Sequence, residues 1–158
     1  MSTYPGGTAS AGASTAVQKA ALGVGIVFLV IGVLGFIPGI TSNYDSMSLA
    51  SDDSKAELLG LFQVSILHNI VHLLFGVAGV VMARTINAAR NYLVVGGIIY
   101  LLLFVYGLVV GQNSVANFVP LNGADDILHL LLGIGMIGLG LALTRNRNAT
   151  RATDSPAV

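Results

Sequence analysis

The sequence predicts an all-α fold: an integral membrane four-helix bundle with a 2+2 parallel internal repeat and both termini cytoplasmic. Three observations predict it. The 158 residues are 54% hydrophobic and 9% charged, with mean hydropathy +0.84, whereas an ordinary soluble domain is about 25% charged. Four apolar runs are each near the roughly 20 residues that cross a bilayer as a helix. The basic residues fall almost entirely on one side of a four-span arrangement. Too few polar residues remain to cover a water-facing surface. A soluble enzyme, a nucleic-acid binder and a disordered chain are therefore all disfavoured. Seven basic and seven acidic residues cancel, which gives no reason to expect a polyanionic partner, and the absence of cysteine excludes disulfides, thiolate metal sites and thiol nucleophiles.

Residues 1–16 are rich in Ser, Thr, Gly and Ala without apolar periodicity, and read as a disordered cytoplasmic tail. The first helix spans about 17–37. A cleaved signal peptide would show a shorter apolar core of about 7–15 residues behind a basic segment. Here the run is longer, the leading tail is uncharged and Pro38-Gly39 follows, so a retained helix is expected. Residues 38–57 form a polar, acidic outer loop. The second helix spans about 58–83 and carries Gln63, Ser65, His68, Asn69 and His72 before Arg84 closes it. A short link containing Arg90 leads to the third helix, about 92–110, the cleanest apolar run. The fourth spans about 124–143, after which residues 144–158 read as a second disordered tail. No segment alternates with the period of two that a membrane β-barrel strand requires.

Lys19, Arg84, Arg90, Arg145, Arg147 and Arg151 lie on one side of this arrangement, and only Lys55 lies on the other. Basic residues in short loops stay cytoplasmic. Both termini and the 84–90 link are therefore expected inside, and the two longer loops outside.

The second and fourth helices resemble each other. Ile70-Val71-His72-Leu73-Leu74-Phe75-Gly76-Val77 aligns without a gap on Ile127-Leu128-His129-Leu130-Leu131-Leu132-Gly133-Ile134, and Asn69 falls on Asp126. A shift of two helices preserves membrane orientation, so this is a parallel repeat, unlike the inverted repeats of many transporters.

Two motifs stand out: His68-Asn69-x-x-His72-Leu73-Leu74-x-Gly76 in the second helix, and Asn117-Phe118-Val119-Pro120-Leu121-Asn122-x-Ala124-Asp125-x-x-x-His129-Leu130-x-Leu132-Gly133 entering the fourth. From about Val17 to Leu143 the chain resembles a membrane family known only as domain of unknown function 4383. The resemblance implies a small four-helix protein of the bacterial plasma membrane, chiefly actinobacterial, and implies no activity. Asn would suit the position of Asp126 as readily as Asp, so no charged chemistry is implied there.

All three histidines lie toward the outer face. His72 is twelve residues from Arg84 and His129 sixteen from Arg145, or about 18 and 24 Å of helix. His68 and His72, four apart, share a helix face. Three readings follow. His72 and His129, or His68 with His129, could supply the two axial nitrogens of a b-type haem, with Gly76, Gly79, Gly133 and Gly135 opening a slot. His68, His72 and His129 with Asp125, Asp126 or Glu57 could bind a metal ion such as zinc or copper, although no zinc-hydrolase pattern is present. The third reading is structural. Asp125 or Asp126 caps the fourth helix, and Asn69, His72, Asp125, Asp126 and His129 form a polar network that fastens the outer helix ends, at about 0.6 kcal/mol per hydrogen bond.

Gly35-x-x-x-Gly39 and Gly107-x-x-x-Gly111 fit close helix packing. Tyr44, Tyr92, Phe118 and Phe36 are placed as interface anchors, and Tyr100, Phe104 and Tyr106 as packing groups in the third helix. With no charge at mid-membrane and no catalytic motif, neither a transporter nor an enzyme is favoured. The expectation is a structural or accessory subunit that holds no cofactor. Its partners are the lipid bilayer and other membrane subunits, or further copies of itself, and not nucleic acid. The alternative is a haem b electron carrier or a metal-binding membrane protein.

Overall fold

The computed structural model describes residues 14–50, 53–110, 119 and 121–153, with side chains to residue 144 in the last helix. Residues 1–13 of the tail expected at 1–16, the last five residues and the anchor Phe118 lie outside the described residues. Four helices dominate: α1 (Ala16–Leu34), α2 (Ile66–Met82), α3 (Ile86–Val109) and α4 (Gly123–Thr153). A small antiparallel sheet, β1 (Thr41–Ser42), β2 (Glu57–Leu58) and β3 (Phe62–Gln63), stands between α1 and α2.

Local chemistry sets the helix starts. The Gln18 carboxamide oxygen accepts the Thr15 backbone N–H at 3.0 Å. Ser65 Oγ accepts the His68 N–H at 3.1 Å, and Thr85 Oγ1 accepts the Ala88 N–H at 3.3 Å. These side chains satisfy N–H groups that the first helical turn leaves without partners. Ser65 is why α2 begins at Ile66 and not near Leu58, for residues 57–63 are used in the sheet. Thr85 is why α3 begins at Ile86 and not near Tyr92, so the polar link around Arg90 forms the first turns of the helix. Residues 144–153, expected as tail, extend α4 to Thr153. No Gly or Pro interrupts the chain between Gly140 and Pro156, so nothing local breaks the helix there.

The helices pack as two antiparallel hairpins, α1 on α2 and α3 on α4. Within each, backbone meets backbone at glycine. A Cβ on Gly25 would stand 2.9 Å from the Gly76 carbonyl oxygen, and one on Gly97 would stand 2.7 Å from that of Gly133. Gly35 and Gly107, expected in close packing inside the bundle, make room there for the side chains of Asn69 and Asp126. Gly39 sits in a turn at φ +92°, the left-handed region that favours glycine. At the basic end of the bundle, Gln18 Nε2 donates to the carbonyls of Ala83 (3.0 Å) and Arg84 (2.9 Å), tying the start of α1 to the end of α2. Gln18→Ala is expected to cost about 1 kcal/mol, read as a lower midpoint in detergent unfolding.

Between the hairpins lies a core of Val17, Ala21, Phe28, Ala89, Leu93, Tyr100 and Met136. Tyr92, expected as an interface anchor, is buried in this core against Gly79. A second cluster, Ala56, Leu58 and Val64, fills the space beneath the sheet. The outward surface is apolar: Val30, Leu74, Leu102, Leu108 and Leu131 are all half exposed or more. α1, α3 and residues 123–144 of α4 are long and apolar enough to cross a membrane, and α2 has 17 residues, near the lower limit of about 17 for a span. An apolar exterior on such helices makes this a small membrane protein, because only lipid solvates that surface without cost.

Candidate functional site

The polar residues singled out by sequence gather at the sheet end of the bundle. Asn69, His72, Asp125, Asp126 and His129 are all buried, and His68 is partly so. Their positions follow from helix periodicity. Asn69, His72, Gly76 and Gly79 form one inward stripe on α2, and Asp126, His129, Gly133 and Met136 form the matching stripe on α4.

Rings connect the two stripes. The His68 and His72 rings stack at 4.5 Å. His72 stacks on Phe28 at 5.4 Å, Phe28 on Tyr100 at 5.4 Å, and Tyr100 meets His129 at 5.2 Å. His72 Nδ1 lies 3.1 Å from the His68 carbonyl oxygen, which fixes that nitrogen as the protonated donor and leaves Nε2 as an acceptor.

Asp125 is the most engaged acid. Its Oδ2 accepts the Asn122 N–H at 3.0 Å and the Gln63 N–H at 3.1 Å. Asn122 Oδ1 in turn accepts the N–H groups of Ala124 (2.9 Å) and Asp125 (3.1 Å). The two side chains form a reciprocal capping box. The cap of α4 is thus Asn122, and neither acid holds that position; Asp125 stands three residues on and reaches back. Asn122 Nδ2 also donates to the Leu61 carbonyl at 2.8 Å. The loop before α4 is thereby fastened to the β2–β3 hairpin at two points. Asp126 points elsewhere, against Gly107 of α3.

Three buried polar atoms of this cluster have no hydrogen-bond partner among the described residues: Asn69 Oδ1, Asp126 Oδ1 and His129 Nδ1. Each costs about 1–3 kcal/mol if nothing satisfies it.

Two cavities of about 170 Å³ each border the cluster. One opens between α2 and α3, lined by Leu67, Val71, Tyr100 and Leu103. The other lies under the sheet between α1 and α4, lined by Val27, Ile31, Phe62 and Leu128. His68, His72 and His129 line both, and Asp125 lines only the second. The structure therefore brings the three histidines together. Among the described residues, no group of three or more His, Asp or Glu is arranged to hold a metal ion. The glycines expected to open a haem slot serve other ends: Gly76, Gly79 and Gly133 lie in helix contacts, and Gly135 faces open space.

Sequence reasoning did not single out Phe28 or the contacts of Gln63; it quoted Asn122 only within the motif entering the fourth helix, without a role, and placed Tyr100 only as packing. Asn122 carries a readable signal, an Asn three residues before an Asp at a helix start. Phe28 carries none, since an aromatic in an apolar run is unremarkable.

In comparisons with known proteins, the family model described as domain of unknown function (DUF4383) matches residues 18–142. No curated protein and no solved structure matches.

Proposed function

The chain belongs to the DUF4383 family, and we propose that it serves as a structural or accessory subunit of a bacterial plasma-membrane assembly. Its sheet lies outside and both termini lie in the cytoplasm. One observation carries this reading: the hydrogen bonds that Asp125 and His72 make within the polar cluster are spent on holding the protein together. Asp125 ties α4 to the hairpin, and His72 is bound to its own helix. The charge asymmetry supports the orientation, because Lys19, Arg84 and Arg90 lie at the end of the bundle away from the sheet. The half-exposed apolar faces of α2 and α4 offer lipid-buried surface to neighbouring helices.

Matched contacts support descent of the two hairpins from one ancestral pair. A shift of 72 residues carries Val17, Ala21, Gly25, Phe28 and Gly35 onto Ala89, Leu93, Gly97, Tyr100 and Gly107. A shift of 57 carries Asn69, His72 and Gly76 onto Asp126, His129 and Gly133. Three contacts then repeat: Gly25–Gly76 as Gly97–Gly133, Phe28–His72 as Tyr100–His129, and Gly35–Asn69 as Gly107–Asp126.

The test is native electrophoresis of the tagged chain from its own membrane, followed by purification. The expected result is a particle larger than the chain that contains another membrane protein in fixed ratio. Recovery as a lone monomer at natural abundance would sink the reading. The alternative, a b-type haem with His72 and His129 as axial ligands, is favoured by their bordering the same cavities. A cavity near 150 Å³ holds a single benzene-sized ring, which is far short of a porphyrin. The expected absorption spectrum of the purified protein therefore shows no Soret band, oxidised or reduced. A Soret band that shifts on reduction would establish the alternative instead.

A further inference from the structure

We infer that the cavity between α2 and α3 is a lateral binding site for a lipid-soluble molecule whose head is one ring bearing oxygen, of the quinone or phenol class. This goes beyond the subunit reading and does not depend on it, since a ligand site requires no protein partner.

Size comes first. The cavity measures about 170 Å³, and an apolar cavity of about 150 Å³ takes up benzene. The space is of the size that admits one six-membered ring. Chemistry narrows the class further. The walls are apolar at Leu67, Val71 and Leu103, with His68, His72, Tyr100 and His129 supplying rings and polar edges. A few convergent polar groups in an otherwise apolar pocket are the usual mark of a small-molecule site. His129 is 3% exposed, and its Nδ1 is buried with no hydrogen-bond partner among the described residues. A hydrocarbon chain in the cavity would leave that nitrogen unsatisfied. His129 lines the cavity, so a turn of its ring that brings Nδ1 to the space lets a ring oxygen satisfy it, either as a quinone carbonyl accepting from Nδ1–H or as a phenol O–H donating to the other tautomer. The tilted Tyr100 ring beside His129 offers the edge-to-face contact that aromatic rings favour.

Access supports the lipid-soluble class. Leu67 is 37% and Val71 50% exposed, and both lie on the lipid-facing side of α2 at the edge of the cavity. A ligand entering there keeps its tail among lipid chains while its ring reaches the histidines. The gap exists because α2 and α3 belong to different hairpins and touch only sparsely. The second cavity, between α1 and α4, is the counterpart of the first under the same exchange of hairpins. Its lining adds Asp125 to the three histidines, so its polar edge differs.

The experiment is calorimetric titration of the full chain in lipid nanodiscs with three probes of equal tail: decyl-1,4-benzoquinone, 4-decylphenol and decylbenzene. Empty nanodiscs give the partition background. Saturable binding of the quinone or the phenol, about tenfold or more tighter than decylbenzene, is expected, as a hydrogen bond to a buried nitrogen warrants. His129→Leu is expected to erase that tenfold preference. Val71→Phe, which fills the mouth of the cavity without touching the polar cluster, is expected to abolish binding of all three while leaving the unfolding midpoint unchanged. Should His129→Leu fail to insert, Val71→Phe alone decides. The proposal is overturned if no probe binds above background, if decylbenzene binds as tightly as the oxygenated rings, or if Val71→Phe binds like the parent chain.

Discussion

Asp125→Ala is expected to destabilise the protein by about 3 kcal/mol, while Asp126→Asn, one residue on, leaves stability within about 0.5 kcal/mol. The two acids are adjacent and both buried, so composition does not distinguish them; their partners do. Asp125 Oδ2 receives two backbone N–H groups, from Asn122 at 3.0 Å and Gln63 at 3.1 Å. Removing it strips the reciprocal cap from α4, worth about 1 kcal/mol, and leaves the part-buried Gln63 N–H at the sheet without its acceptor, at up to about 2 kcal/mol. Asp125→Asn keeps an acceptor oxygen and is expected to recover about half of the loss. Asp126 Oδ1 has no hydrogen-bond partner among the described residues, so an amide of the same shape gives up little. Reversible unfolding in mixed micelles measures all three. Equal losses at both positions would mean that charge at this end of the bundle, and not the fastening of hairpin to helix, is what stabilises it.

The same contrast separates what was legible in the sequence from what was not. The four apolar runs and the histidine pattern are legible because a bilayer demands length and a helix demands a repeat near 3.6. Both demands leave marks along a single chain. Two-residue strands leave none: Thr41–Ser42 and Glu57–Leu58 are too short to alternate, so residues 57–63 read as part of a helix when they form a hairpin. That hairpin holds the Gln63 N–H which Asp125 accepts, and thereby decides which acid is engaged. Glycine is the opposite case. Gly35 and Gly107 were legible as packing positions, yet spacing along one helix does not say what stands opposite. Asn69 and Asp126 stand opposite, and only the packed hairpins bring them there.

Alanine at glycine is expected to change sign along a single helix. Gly25→Ala and Gly97→Ala each place a methyl against backbone, 2.9 Å from Gly76 O and 2.7 Å from Gly133 O. A backbone carbonyl cannot rotate away as a side-chain tip can, so the hairpin must open. Overpacking of this kind costs about 1–3 kcal/mol, and separating the helices also forfeits the dispersion contacts that hold membrane helices together in the absence of a hydrophobic drive. Gly23→Ala and Gly135→Ala meet nothing within 4 Å. They lie on the same two hairpins, exposed to lipid, where alanine only restricts the unfolded backbone and favours the helix by about 0.5–1 kcal/mol. The difference between Gly25→Ala and Gly23→Ala should therefore reach about 2 kcal/mol or more, with opposite signs, for identical chemistry two residues apart. If both variants shifted the unfolding midpoint the same way, close backbone approach at Gly25 would not be what seats α1 on α2. The matched contact at Gly97 gives an independent check, because hairpins built on one plan should pay equally for the same methyl.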